Sequence, residues 1–195
     1  AALLPARAEA IETTPNGLLI TGPDLSVAAK QVVIAAGAHS RALARTVGDR
    51  IPLDTERGHH LEWDMDSPRL SRPTCPTTRG FYLCPMQGRL RVAGTVELGG
   101  LTAPPSQHRL DRLAQGARAI FPDLGPPDRT WMGFRPSMPD SLPVIGPSRT
   151  NGVIHAYGHG HIGLTLAPIT AAIVASLVAG RAPDLDIAAY STTRF

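Results

Sequence analysis

Cysteine is scarce in these 195 residues: Cys75 and Cys84 are the whole complement, and they form no CxxC pair. Two thiols make no disulfide framework, which points to a reducing cytoplasm, and both are expected to be buried structural cysteines. A surplus of one charge is missing too. Charged residues are 18% of the chain and the formal net charge is +3. Arg41, Arg45, Arg50, Arg57, Arg69, Arg72 and Arg79 are scattered among acids. No Lys/Arg stripe alternates with aromatics, which speaks against nucleic acid as a partner. One well-placed Arg still suffices for an anionic small substrate. No GxSxG elbow is present, so a Ser–His–Asp hydrolase has no anchor. The start, Ala1-Ala2-Leu3-Leu4-Pro5, has neither a basic region nor a long apolar run. It reads as a chain already under way rather than a signal peptide.

What is present is apolar and turn-rich. Hydrophobic residues are 43%, enough for a core, and 19 Gly with 19 Pro imply short elements in a mixed α/β or α+β body. Ile162 to Gly180 carries no charge and is long enough to span a bilayer. Its many small residues, Gly163, Ala167, Ala171, Ala172 and Ala175 among them, favour a helix buried against a sheet instead.

Residues 6–13 suit a strand, and Pro15-Asn16-Gly17 and Gly22-Pro23-Asp24 suit turns of a small antiparallel meander. Val27 to Ile34 reads as one apolar strand buried on both faces. Ala35-Ala36-Gly37-Ala38-His39 follows, then a helix to Val47 with Ser40 as N-cap. That order presents backbone N–H groups to a ligand beyond the strand's carboxyl end. Residues 57–97 read as short antiparallel strands and 106–120 as an amphipathic helix through Leu110, Leu113, Ala114, Ala117 and Ile120. A strand from Arg129 to Phe134 then enters an irregular, proline-fixed loop at 135–147. A last strand, Val153 to Ala156, runs into Tyr157-Gly158-His159-Gly160-His161-Ile162-Gly163. The domain division read from this pattern is 1–50, 51–135 and 136–195.

The glycine turn at 158–163 is the first chemical signal. Its glycines allow a flat ligand to approach the backbone, and the following helix turns its positive end toward that ligand; an ordinary strand–turn–helix junction explains it equally well. Arg135, among Trp131 and Phe134 on a stiff backbone, suits bidentate capture of a carboxylate. A structural ion pair with Asp140 is the alternative. His59, His60, His155, His159 and His161 lack the companion ligands at defined spacing that a metal site needs.

Val32 through Ser40, Arg57-Gly58-His59-His60, Trp131 through Gly146 and Gly158 through Pro168 occur in an order that resembles the D-amino-acid oxidase type of FAD-dependent oxidoreductases. The likeness is greatest to the small-subunit type of bacterial D-amino-acid dehydrogenase, with glycine and sarcosine oxidases as relatives, and it covers about residue 5 to Phe195. It implies part of an FAD-binding Rossmann-like α/β sheet together with an antiparallel α+β substrate domain. Residues 1–50 and 136–195 would belong to the FAD-binding domain and 51–135 to the substrate domain. By the same resemblance Ala8 would lie at the adenine end of FAD, and Ala35, Ala36 and Gly37 would line the dinucleotide groove. His159, Gly160, His161, Ile162, Gly163, Leu164 and Thr165 would lie against the flavin. Arg135 would hold the substrate carboxylate, with Tyr82 and His161 at the substrate.

The chemistry implied is hydride transfer from the α-carbon of an amino acid or amine to flavin N5. The resulting imine is hydrolysed to a keto acid and ammonia, and no acid–base residue is required. The family's strand–GxGxxG–helix is not found. Gly158, Gly160 and Gly163 have its spacing but lie late in the chain, with no acidic strand end after them. The expectation is therefore a C-terminal half that needs a second polypeptide or N-terminal half carrying GxGxxG. The other implied partner is an electron acceptor that could bring the protein to the membrane periphery.

Overall fold

The computed structural model describes residues 1–195, and the chain divides into two compact units, Ala1–Asp54 with Arg135–Phe195, and Thr55–Phe134. In the first unit, β1 (Ala10–Thr14), β2 (Gly17–Gly22) and β3 (Leu25–Ala29) form an antiparallel meander. Two-residue turns at Pro15-Asn16 and Pro23-Asp24 set its register, with Thr14 opposite Gly17 and Gly22 opposite Leu25. The first strand thus begins later than residue 6.

The apolar run from Val27 to Ile34 is two elements, not one strand. It breaks at the exposed Lys30-Gln31 pair, and β4 (Val32–Ile34) belongs to another sheet. Its side chains alternate, Ile34 at 2% exposure against Val33 at 37%, so it is not buried on both faces either. After a 3-10 turn at Gly37–His39 comes α1 (Ser40–Thr46), whose N-cap is His39. Ser40 is no cap: it is the first helical residue, fully buried, with its hydroxyl unpartnered. Thr46 holds α1 on the meander by accepting the Ile11 amide at 3.1 Å.

The second unit is a sheet of order β6-β7-β5-β8, formed by β5 (Asp54–Asp64), β6 (Phe81–Met86), β7 (Arg89–Leu98) and β8 (Arg129–Ser137). On one face Leu61, Leu83 and Val92 pack with Leu110, Leu113 and Ala117 of α2 (Gln107–Arg118). Burying each Leu stabilises this unit by roughly 2 kcal/mol. On the other side Glu62 is 3% exposed, its carboxylate held by Arg89 at 2.6 Å and Arg91 at 2.7 Å. Burial raises the Glu62 pKa, but its bonds to Arg91 and the charges of Arg91 and Arg89 bring it below the usual value. Neither cysteine is buried: Cys75 is exposed and Cys84 half-buried.

β8 runs on to Ser137, so Arg135 stands on a strand and the irregular loop shrinks to 138–143. The chain then completes the second sheet of the first unit, order β4-β10-β9, with β9 (Val144–Pro147) antiparallel and β4 parallel to β10 (Val153–Tyr157). A 3-10 turn at Gly160–Ile162 leads into α3 (Gly163–Val178). The expected buried helix is largely bare: only Thr170 and Ile173 are buried, whereas Leu164 is 92% exposed. The segment Gly160–Val178 is long and apolar enough to cross a membrane by length and composition. Gly163, Ala167 and Ala171 share one side of the helix facing Val33, Ala35 and Ala156, but a cavity lies between them, so Ala167 and Ala171 stay exposed.

Candidate functional site

β10 delivers the glycine turn, and a buried polar set holds β10. His155 (fully buried) donates from Nε2 to Asp49 Oδ2 at 2.8 Å, and the Ser148 hydroxyl donates to the same oxygen. Burial lowers the His155 pKa more than the Asp49 charge raises it, so the imidazole is neutral near pH 7. Tyr157 ends the strand at 1% exposure, its hydroxyl driven toward the un-ionised form by burial and by Asp49. Gly158 follows with φ 86°, and a Cβ there would stand 2.9 Å from Met138 Cγ. Gly160, with φ 55°, needs the same left-handed backbone.

Beside the turn lies a cavity of about 300 Å³ lined by Val33, Ala35, Ala156, His159, Gly163 and Ala167, with further α3 residues. β4, β10 and α3 thus bring Ala35, His159 and Gly163 together. His159 Nε2 and Thr170 Oγ1 are hydrogen-bonded at 3.0 Å, and burial lowers the imidazole pKa. The wall is apolar and small, suited to the flat face of a ring or to closely approaching backbone.

Arg135 stands near the end of β8. Its Nη1 is buried and has no partner, a costly state for a guanidinium N–H. The alternative pairing with Asp140 does not occur, because Asp140 is taken by Arg194 at 2.7 Å. Two residues further along β8, Ser137 Oγ would stand 3.9 Å from a Cβ on Gly160. An unsatisfied cationic donor therefore sits on the same strand end that flanks the glycine turn.

The other expected residues scatter. Ala36 is exposed and Gly37 half-buried in the turn after β4. His161, Ile162, Leu164 and Thr165 are exposed at the mouth of α3. Ala8 packs against the core before β1 and does not line the cavity. Tyr82 is 56% exposed on β6 in the other unit. No group of three His, Cys, Asp or Glu side chains could hold a metal ion. Sequence reasoning missed Asp49, Ser148 and Arg194, and weighed His155 only as a metal ligand. Asp49 and His155 are 106 positions apart, and no local pattern announces such a pair.

Residues 3–177 match the protein family described as FAD dependent oxidoreductase (DAO). The chain belongs to this family. It is 38% identical to a D-amino-acid oxidase of Bradyrhizobium diazoefficiens, over all of this chain and 48% of that protein. It is 35% identical to D-amino acid dehydrogenase 3 of Mesorhizobium japonicum, over 86% of this chain and 43% of that one. Among solved structures, glycine oxidase from Geobacillus kaustophilus superposes with TM-score 0.86 at 28% identity, covering 97% of this chain and 52% of that one. The chain spans about half the length of the curated relatives it matches. The mixed α/β architecture with antiparallel sheets is that of an FAD-dependent oxidoreductase in part.

FAD is the family's cofactor, and the residues present suit a flavin. Glycines without Cβ atoms, a small apolar cavity and a buried guanidinium N–H without an acceptor all lie in the first unit.

Proposed function

We propose that this DAO-family chain forms the flavin-facing and substrate-holding half of an enzyme that oxidises D-amino acids or related amines. The observation that carries the reading is the unpartnered, buried Nη1 of Arg135, two residues before Ser137, which lies next to Gly160 of the glycine turn. Arg135 orients the substrate by its carboxylate through charge-assisted hydrogen bonds. The turn from His159 to Thr165 supplies backbone donors and the positive end of α3, which favour an electron-rich ligand edge. The cavity residues, Ala35 and Gly163 among them, admit a planar group and exclude water, and Ala36, Gly37 and Ala8 contribute to the dinucleotide side. His161 belongs to the same substrate-binding set, within the first unit. FAD, when bound, supplies the two-electron acceptor. No side chain is needed to take the α-proton as a separate step.

In this reading the first unit is the FAD-binding part and Thr55–Phe134 the substrate part. The GxGxxG element is supplied from outside residues 1–195, in keeping with relatives twice as long. The chain works in the cytoplasm, and an electron acceptor is its link to the membrane periphery.

The test is to mix the chain with a separately expressed polypeptide corresponding to the other half of the Bradyrhizobium relative. Flavin absorbance and dye reduction by D-amino acids are then recorded. Stoichiometric flavin with turnover only in the mixture supports the proposal. Flavin without turnover favours a second reading, a non-catalytic module that associates with a partner, for which the bare side of α3 speaks. Turnover of sarcosine or glycine in place of D-amino acids shifts the substrate to that of the glycine oxidase neighbour.

A further inference from the structure

The C-terminal residues fold back onto the loop that joins the arginine strand to β9. A 3-10 turn, Thr192–Arg194, packs on β9. Arg194 is mostly buried there, its side chain 13% exposed. Its Nε donates to Asp140 Oδ2 at 2.7 Å and its Nη2 to the Leu142 carbonyl at 2.7 Å and Asp140 Oδ1 at 3.3 Å. Nη1 donates to the Ser191 carbonyl at 3.1 Å, tying the guanidinium to its own segment. Asp140 in turn accepts the Leu142 amide at 3.1 Å. Ser141 between them has φ 62°, a left-handed conformation that a serine adopts only when held.

This loop is the contact surface of the glycine turn. It begins at Met138, whose Cγ is the nearest side-chain atom to the Cβ position of Gly158, and it leads into Val144 of β9, whose amide lies 3.5 Å from that position. Immediately before it stand Ser137, beside Gly160, and Arg135. One guanidinium therefore fixes a six-residue connection whose two ends touch the arginine strand and the turn. The charge of Arg194 is felt at Tyr157, the residue leading into the turn, whose ionisation it favours against burial.

We infer that Arg194 is a positioning residue that sets the spacing of the Arg135 strand end and the glycine turn at 158–163. It acts as a latch that closes only when the C-terminus is docked. The functional weight of this latch rests on the site proposed above. Its geometry does not, and the test is made on the chain free of flavin and substrate, so that either can fail alone.

Hydrogen exchange is followed by mass spectrometry on the full chain with Arg194→Ala, Arg194→Lys, Asp140→Asn and the Arg194→Ala/Asp140→Asn pair. Losing charge-assisted bonds lowers the local opening barrier, so amides at 138–143 and 158–163 exchange roughly tenfold faster in Arg194→Ala. Exchange at 107–118 stays unchanged. Lysine keeps the charge beside Asp140 but not the fork, and restores protection in part. The double variant adds little to either single one. The inference is overturned if 158–163 keeps its protection while 138–143 loosens, or if exchange rises evenly throughout the first unit. Should Arg194→Ala not fold, Arg194→Lys and Asp140→Asn carry the same two readings.

Discussion

Asp49, in the loop after α1, and His155, in the middle of β10, are joined by a 2.8 Å hydrogen bond with both side chains essentially sealed from solvent. Asp49 also takes the Ser148 hydroxyl, so one carboxylate ties the loop after α1 to the central and edge strands of the sheet. Replacing it by Ala strands the buried His155 imidazole and takes an acceptor from the half-buried Ser148 hydroxyl. The expected loss is about 1–3 kcal/mol, the usual cost of leaving a buried donor without its acceptor. A urea titration of Asp49→Ala against the parent protein measures it, and a midpoint unchanged within error counts against the role.

The same pair makes the protein sensitive to mild acid. The imidazoles of His155 and His159 both have folded pKa values below 6.5, the former through burial set against Asp49, the latter through burial alone. A histidine that is harder to protonate when folded contributes its full stability above pH 6.5. That contribution falls as the unfolded chain begins to bind the proton below this value. Thermal midpoints should therefore drop between pH 7 and pH 5. His159→Gln, which keeps a polar partner for Thr170, should flatten the drop, whereas a profile unaltered in this variant argues against it.

Much of this organisation was legible in the chain. The proline–asparagine and proline–aspartate turns fixed the meander, and the Leu110-Leu113-Ala117 spacing marked the face of α2 that meets its sheet. The glycine turn was visible because positive φ demands glycine at 158 and 160. The break at Lys30-Gln31 was not: two polar residues inside an apolar run do not say that the strands on either side enter different sheets. Nor did the sequence reveal that Asp140 belongs to Arg194, since that pairing depends on where the C-terminus comes to rest. α3 misled through composition, because small apolar residues describe an exposed helix flank as well as a buried one.

The two turn glycines differ in a testable way. Both have left-handed backbones, which cost an alanine about 1 kcal/mol. At Gly160 the nearest atom to the new methyl is Ser137 Oγ at 3.9 Å, ordinary contact, whereas at Gly158 it is Met138 Cγ at 2.9 Å. Gly158→Ala should thus be the more destabilising by roughly 1–3 kcal/mol, the overpacking range. Equal denaturation midpoints for the two variants would remove the steric argument.

In the second unit, Glu62 is the common partner of Arg89 and Arg91 on adjacent positions of the sheet. Its folded pKa is depressed, so its contribution is complete above the unfolded value near 4.5 and fades as pH falls through the lower folded value. Glu62→Gln keeps the volume and loses the charge. The expected cost is about 1–2 kcal/mol at pH 7, discounted because both arginines remain about a third exposed. That cost should be smaller at pH 3 than at pH 7, as read from urea midpoints at the two pH values.

Arg135 yields the test closest to chemistry. If its free N–H groups await a carboxylate, Arg135→Ala in the complemented enzyme removes two charge-assisted bonds, about 3 kcal/mol, or roughly a hundredfold in kcat/KM. Arg135→Lys recovers part of the charge but not the planar fork. Amines lacking a carboxylate give the discriminating arm: whatever slow turnover they show should be indifferent to the substitution, because they offer Arg135 nothing to hold. Equal losses for substrates with and without the carboxylate would mean that Arg135 supports the fold of the strand end rather than the substrate, and the assignment of this strand to the substrate site would fall.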